Sequence, residues 1–261
     1  MNLKKILSSG IVFFLLLLII TNIPGIAFST VSPNNLFTSS AYFITQSGGP
    51  IGTTLWVLLA CILYATYEEG WKNKVLVTLK AFIGLSIVIG AFAALNEKFT
   101  KPILKSERPS HALMLERLQA TQQLDSLYAL TKDERIAYFG KRINEQKNLF
   151  TNIDLQVLGH WIEEGGYSFP SGHSFNAFLL AMIFSFGLLQ NRGSNLFRKH
   201  FYIPFIWAVA IAVSRVSIGA HHPADVVAGA AMGIGFGAIL LYIDLTRHLI
   251  THKKESLENL I

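Results

Sequence analysis

Three short stretches of this 261-residue sequence carry residue types able to hold and cleave an anion. The first, KPILKSERP at 101–109, presents Lys101 and Arg108. The second, YSFPSGHSFNAF at 167–178, has Pro-Ser-Gly-His at 170–173 as its core. The third, SRVSIGAHHPAD at 214–225, presents Arg215, His221 and Asp225. Pro170 fixes the approach to a helix start, Ser171 and the amides around Gly172 point donors into one spot, and His173 supplies a ring that exchanges protons near neutrality. Asp225 follows His221 by four residues, close enough to hold one ring nitrogen as N–H and leave the other as a nucleophile. His222 faces about 100° away if that turn is helical, and is set aside.

Each residue has a structural use when taken singly. A Lys or Arg at a helix end snorkels to the membrane interface, and a His221–Asp225 hydrogen bond tidies a helix start. Taken together they are three cations, two histidines and one carboxylate at the ends of apolar segments, where charge usually marks function. Arg108 and Arg215 cannot neutralise each other, and the acid of the third stretch is placed to engage His221. An anionic ligand is the expected partner. His-His-Pro-Ala-Asp also reads as a metal-ligand set, but Lys101, Arg108 and Arg215 would repel a divalent cation and attract a phosphate. No metal and no cofactor is expected.

The elements that must position these residues are membrane helices. With 51% hydrophobic and 15% charged residues, the chain is too apolar for an ordinary soluble domain. Its formal charge of +6 comes from residues that flank apolar spans or lie in a charge-balanced insert, which argues against nucleic acid as a partner. Cys61 is the single cysteine, so no intrachain disulfide forms. Apolar segments at 6–28, 50–67, 75–96, 174–189, 201–218 and 223–245 predict an all-α fold, a six-helix transmembrane bundle. The first segment is read as a retained helix because it exceeds the roughly 7–15 apolar residues of a leader peptide; cleavage near Ala27-Phe28-Ser29 is the competing view. Residues 29–49 carry no charged side chain, as expected of a non-cytoplasmic loop. Alternating the sides puts Lys72, Lys74, Arg192, Arg198, Lys199, Arg247, Lys253 and Lys254 in the cytoplasm and all three stretches at the outer ends of helices three to six. The first two helices then add only topology.

This organises the chain as residues 1–96 (helices one to three), 97–172 (an extracytoplasmic helical insert carrying the first and second stretches) and 173–261 (helices four to six and a cytoplasmic tail), one integrated catalytic domain. The insert balances ten Lys/Arg with ten Asp/Glu and has no proline from 110 to 169. Thr131 with Glu134 makes a capping box, and Ile153, Val157, Leu158 and Trp161 form an apolar pattern before Gly165-Gly166. Two or three amphipathic helices follow, whose apolar faces pack on each other or lie in the membrane interface. Gly229, Gly233 and Gly237 give the last helix a small-residue face for packing inside the bundle.

The spacings Lys-x6-Arg-Pro, Pro-Ser-Gly-His and Ser-Arg-x5-His-x3-Asp, complete and in order, resemble the type-2 phosphatidic acid phosphatase superfamily, which also contains vanadium haloperoxidases. The resemblance runs from helix three to helix six. The size of the insert and EEGGYSFPSGHSF at its end are similar, more narrowly, to the bacterial phosphatidylglycerophosphatase B group. The resemblance implies that His221 attacks phosphorus to form a phosphohistidine, that Asp225 orients it, and that His173 protonates the leaving alkoxide and then activates water. It implies that Lys101, Arg108, Ser171, Gly172 and Arg215 bind phosphate oxygens, without a metal ion. The implied substrates are membrane phospholipid or isoprenoid (pyro)phosphates: phosphatidylglycerophosphate first, then phosphatidic acid, diacylglycerol pyrophosphate and undecaprenyl pyrophosphate, the last being the alternative main role. The implied place is the lipid bilayer of a bacterial cytoplasmic membrane, with the site facing the periplasm or exterior. A non-enzymatic lipid-binding protein could dispense with His173 and His221, and a halide-oxidising vanadate enzyme has no use for six spans.

Overall fold

Leu179, Leu180, Ala181 and Met182 are consecutive in the sequence and all enclosed, so the helix that carries them has no outward face. This helix, Gly172–Gln190, is the centre of the molecule, and its sequence is apolar all round as an enclosed helix requires. The computed structural model describes residues 2–26, 36–121, 124–190 and 195–258, with side chains of 125 and 244–258 left aside. Ala27-Phe28-Ser29, Arg192 and the side chains of Arg247, Lys253 and Lys254 lie outside the described residues.

In chain order the helices are α1 (Asn2–Thr21), α2 (Leu36–Ser47), α3 (Pro50–Ala65), α4 (Trp71–Leu95), α5 (Lys101–Leu104), α6 (Pro109–Arg117), α7 (Leu124–Ala129), α8 (Lys132–Glu145), α9 (Leu155–Glu163), α10 (Gly172–Gln190), α11 (Asn195–Lys199), α12 (Ile203–Ser217) and α13 (Pro223–Glu258). No strand occurs among the described residues. Pro50, Pro109 and Pro223 each open a helix, where the missing N–H costs nothing.

Among the described residues four helical stretches are long and apolar enough to cross a membrane: 2–21, 71–104, 172–190 and 223–243. A fifth span requires α2 and α3, bent by 55°, to act as one, and α12 has 15 residues, rising about 22 Å against a hydrocarbon core of about 30 Å. Among the described residues each of the six expected apolar segments is largely helical, with lengths that are not uniform. Ile11, Ile19, Leu55, Ile62, Ile83 and Ile87 are exposed on α1, α3 and α4, a belt of large side chains that suits lipid. The chain is a multi-pass membrane protein.

Two boundaries differ from the sequence reading. Residues 36–47 of the expected loop form α2, because hydropathy averaging overlooks a 12-residue helix rich in Thr and Ser whose buried face is Thr38, Ala41 and Thr45. Thr45 Oγ1 meets Ser214 Oγ at 2.7 Å, tying α2 to α12. Helix three does not stop near 96; it passes through a π-helical turn, Asn96–Thr100, into α5 and ends at Lys105, φ 45°. Lys101 thus stands on a helix rather than beyond one.

The last helix packs on α10 through its glycines. A Cβ on Gly233 would lie 2.5 Å from the Phe175 carbonyl oxygen, one on Gly237 2.7 Å from Met182 Cβ, and one on Gly229 would collide with the Ser171 carbonyl oxygen. The small-residue face is used inside the bundle.

The insert, α6 to α9, builds a second core from Met114, Leu115, Phe139, Val157, Leu158 and Trp161. The Thr131 capping box starts α8, and Asp154 Oδ1 accepts from the Gln156 and Val157 amides to start α9. The apolar faces expected of these helices pack on each other. Trp161 Nε1 donates to the Ile218 carbonyl at 2.6 Å and the Ser110 amide to Gly219 at 2.9 Å, fastening the insert to the turn between α12 and α13.

Candidate active site

That turn and the start of α10 bring the three stretches together. Asn96 Nδ2 donates to the Pro170 carbonyl at 3.2 Å, and the Ser171 amide donates to the Asp225 carbonyl at 3.0 Å, so α4, α10 and α13 are joined at their ends. Beside the junction lies a cavity of about 1020 Å³, lined among others by Lys101, Arg108, Gly172, His173, Glu164 and His221.

His221 is 3% exposed, in the turn before α13. Its Nδ1 stands 3.3 Å from Asp225 Oδ2, which also accepts the His222 amide at 2.8 Å. Its Nε2 stands 3.4 Å from Arg108 Nη1. Since arginine only donates, this geometry fits a proton on Nδ1 and a lone pair on Nε2. Burial first, and then the Arg108 and Arg215 charges, hold the ring neutral, well below the ordinary histidine pKa.

Arg108 is the N-cap residue of α6 and is 2% exposed. Nε donates to the Gly166 carbonyl at 3.0 Å, Nη1 to Ala220 at 2.9 Å and Nη2 to Gly165 at 3.1 Å. Its own amide donates to Tyr128 Oη at 3.1 Å, and Tyr128 meets buried His111, whose other nitrogen faces the Trp161 carbonyl at 3.1 Å. The core of the insert thereby sets the orientation of Arg108.

Arg215, in the last turn of α12, is fully buried. Nη1 pairs with His160 Nε2 at 2.8 Å, Nη2 with Glu164, and Nε has no acceptor. Lys101, also buried, pairs with Glu97 one turn earlier. Ser171 is enclosed; its Oγ accepts the Ser174 amide at 3.4 Å, capping α10, and it does not line the cavity. The first amides of α10, at Gly172 and His173, have no intrahelical acceptor and meet the cavity at a positive helix end.

The anionic partner expected for the two arginines is supplied here by the chain itself, through Glu164. Glu164 Oε2 lies 3.2 Å from Arg108 Nη1, its Oε1 pairs with Arg215, and His160 is 3.1 Å away. Burial alone would push this carboxyl up, but the two guanidinium groups and His160 outweigh it and hold Glu164 ionised, well below the usual carboxylate range. The sequence signal was Glu164 four residues after His160, ahead of Gly165-Gly166, but nothing local says that α9 aims it at two distant arginines. A correction concerns the first helices. Gln46, Gly48, Gly49, Pro50 and Thr53 line the cavity, and a Cβ on Gly49 would stand 3.9 Å from His173 Nε2, so the α2–α3 elbow forms one wall of the site.

Over 173 residues the chain is 28% identical to phosphatidylglycerophosphatase B of Escherichia coli, covering 66% of this chain and 63% of that protein. It is 38% identical over 103 residues to a lipid A 4'-phosphatase of Bacteroides thetaiotaomicron, 40% of this chain and 41% of that one. With phosphatidylglycerophosphatase B of Bacillus subtilis it shares 32% over 94 residues, 30% of this chain and 45% of that one. The matched part thus spans less than two thirds of the length of these relatives. The PAP2 superfamily model matches residues 76–249, which runs from within α4 to within α13 and takes in every residue of the three stretches, and the chain belongs to the PAP2 superfamily.

Proposed function

We propose that this chain is a membrane-embedded phosphoric ester hydrolase that removes phosphate from lipid phosphates in two steps, without a metal ion. The observation that carries this reading is the His221 ring, held at Nδ1 by Asp225 and open at Nε2 to a cavity edged by Arg108 and His173. In the first step the Nε2 lone pair attacks phosphorus, the P–O ester bond breaks, and protonated His173 gives its proton to the leaving alkoxide. In the second, neutral His173 takes a proton from water, the hydroxide displaces His221 from phosphorus, and inorganic phosphate leaves. Arg108, Arg215, Lys101 and the first amides of α10 steady the charge that builds on the phosphoryl oxygens. To do so the phosphate must take the place of Glu164 between the arginines. Ser171 serves the same site as the cap that holds those amides.

Lipid substrates are supported by the cavity wall at Thr53, Thr54, Ile89, Phe92 and Ala93, where α3 and α4 border the space with mostly apolar side chains. Phosphatidylglycerophosphate leads, and phosphatidic acid, diacylglycerol pyrophosphate and undecaprenyl pyrophosphate fall within the same activity. The site faces the outer side of a bacterial cytoplasmic membrane, with 97–172 as the extracytoplasmic part of one catalytic unit. Phosphate release by the purified protein from this lipid panel in excess chelator tests the reaction class. Release is expected from every lipid, fastest from phosphatidylglycerophosphate, and strict dependence on added metal or silence on the whole panel overturns the reading. An impermeant thiol reagent should label Asn144→Cys and not Asn73→Cys in intact cells; the reverse inverts the orientation.

A further inference from the structure

The cavity extends past the reaction centre to Lys132 and Arg135 on α8, which no step of the proposed reaction uses. These residues are three apart on one helix face, and the Thr131 capping box fixes where that helix starts. Lys132 is exposed at the rim. Arg135 is 8% exposed, its Nη1 donates to the Leu130 carbonyl, and its Nε is buried with no acceptor. Among the described residues no carboxylate lies within ion-pair distance of it. The other buried cations of the cavity are matched, Lys101 by Glu97 and Arg108 by Glu164. Glu97, the acid whose charge reaches Arg135, is paired with Lys101; a buried guanidinium with an idle donor and no carboxylate at ion-pair distance is costly, and the arrangement is explained if a ligand supplies the charge.

The position of Arg135 says which part of a ligand it would meet. A Cβ on Gly165 would lie 2.9 Å from Arg135 Nη2, while the Gly165 carbonyl accepts from Arg108 Nη2 at 3.1 Å. The two guanidinium groups therefore flank a single glycine, and the absent side chain at 165 is what leaves room for the second. Two like charges this close repel unless an anion stands near both. Arg108 belongs to the scissile phosphate, so Arg135 stands one group further along the substrate. Its planar fork suits the paired oxygens of a phosphate.

We infer that Lys132 and Arg135 form a second anion subsite, which takes a phosphate neighbouring the scissile one and makes doubly phosphorylated lipid headgroups the preferred substrate class. This rests on the reading of the reaction centre given above. The second phosphate can be the inner phosphate of a pyrophosphate or a phosphodiester one glycerol away, and the two sources are separable.

The test compares kcat/KM of wild type, Arg135→Gln and Lys132→Gln on phosphatidic acid, diacylglycerol pyrophosphate and phosphatidylglycerophosphate. Arg135→Gln should lose about tenfold or more, through KM, on the doubly phosphorylated lipids and stay within about twofold on phosphatidic acid, because only the former lose a charged hydrogen-bond partner. Lys132→Gln, at an exposed position, should show the same selectivity at smaller size and covers the case in which Arg135→Gln fails to fold. Loss confined to the pyrophosphate identifies the inner phosphate as the ligand; loss confined to phosphatidylglycerophosphate identifies the phosphodiester. Equal loss on all three lipids, or none on any, overturns the subsite. Binding of inorganic pyrophosphate and inorganic phosphate, measured by calorimetry, separates this failure from failure of the hydrolase reading. Wild type should prefer pyrophosphate and Arg135→Gln should not, whether or not any lipid turns over; equal preference in both overturns the subsite as well.

Discussion

The bundle and the insert solve opposite packing problems and contribute opposite kinds of residue to the site. Between α10 and α13 the small residues Gly229, Gly233 and Gly237 lie inside, and large ones such as Ile11, Leu55 and Ile83 face outward elsewhere in the bundle. In the insert Trp161, Phe139 and Met114 lie inside and polar side chains outside, as in a water-soluble protein. His173, Arg215, His221 and Asp225 come from the bundle side, held at helix ends whose separation is set by backbone contact. Arg108, Glu164, Lys132 and Arg135 come from the insert, where side chains are fixed by hydrogen bonds to loop carbonyls and caps. Rigid helix ends suit bond-making geometry, and an insert set by polar contacts suits the tuning of charge. Substitutions on the bundle side should therefore abolish turnover, and those of Glu164, Lys132 and Arg135 in the insert should shift affinity.

The largest effect tests the bundle side. His221→Ala should bring turnover to the assay floor for every ester, whereas His173→Ala should keep its first step best with an aryl phosphate and accumulate alkali-stable phosphohistidine. Label on His221→Ala and none on His173→Ala would exchange the two roles. Next in size, Arg215→Lys should lower kcat by on the order of a hundredfold, because a fork shared between His160, Glu164 and phosphate becomes a point charge. Near-normal kcat would break the contrast between the two regions.

The insert supplies the smaller effects. Glu164→Gln removes the charge that competes for both arginines, so orthovanadate should inhibit at about tenfold lower concentration, with kcat changed less; weaker inhibition would mean that Glu164 chiefly holds the arginines in place. The smallest effect is on stability. Burial and then Arg108 push His111 down to about 3, so the folded protein refuses a proton that the unfolded chain accepts below about pH 6.5. Stability should fall as pH drops from about 6.5 towards 3, by at most about 1.4 kcal/mol per pH unit from this group. Buried His221 acts in the same direction, so thermal midpoints in detergent between pH 7 and 5 should decline in wild type and less steeply in His111→Gln. Equal slopes would remove His111 from the account.

Local sequence determined a good deal of this molecule. Runs of apolar residues declared the helices, Thr131 with Glu134 declared the start of α8, and the glycines of α13 declared a close helix contact, because hydropathy, capping and side-chain size act over one or two turns. The three polar stretches were legible for the same reason: each is short, and His221 with Asp225 needs one turn to meet. Tertiary structure alone decided which charges face which. Glu164 reaches two arginines from 56 and 51 residues away, the α2–α3 elbow closes on His173 from the far end of the chain, and Arg135 is left without a carboxylate beside a site it does not border in sequence. A buried charge is stable according to what surrounds it in space, over distances that no local pattern encodes.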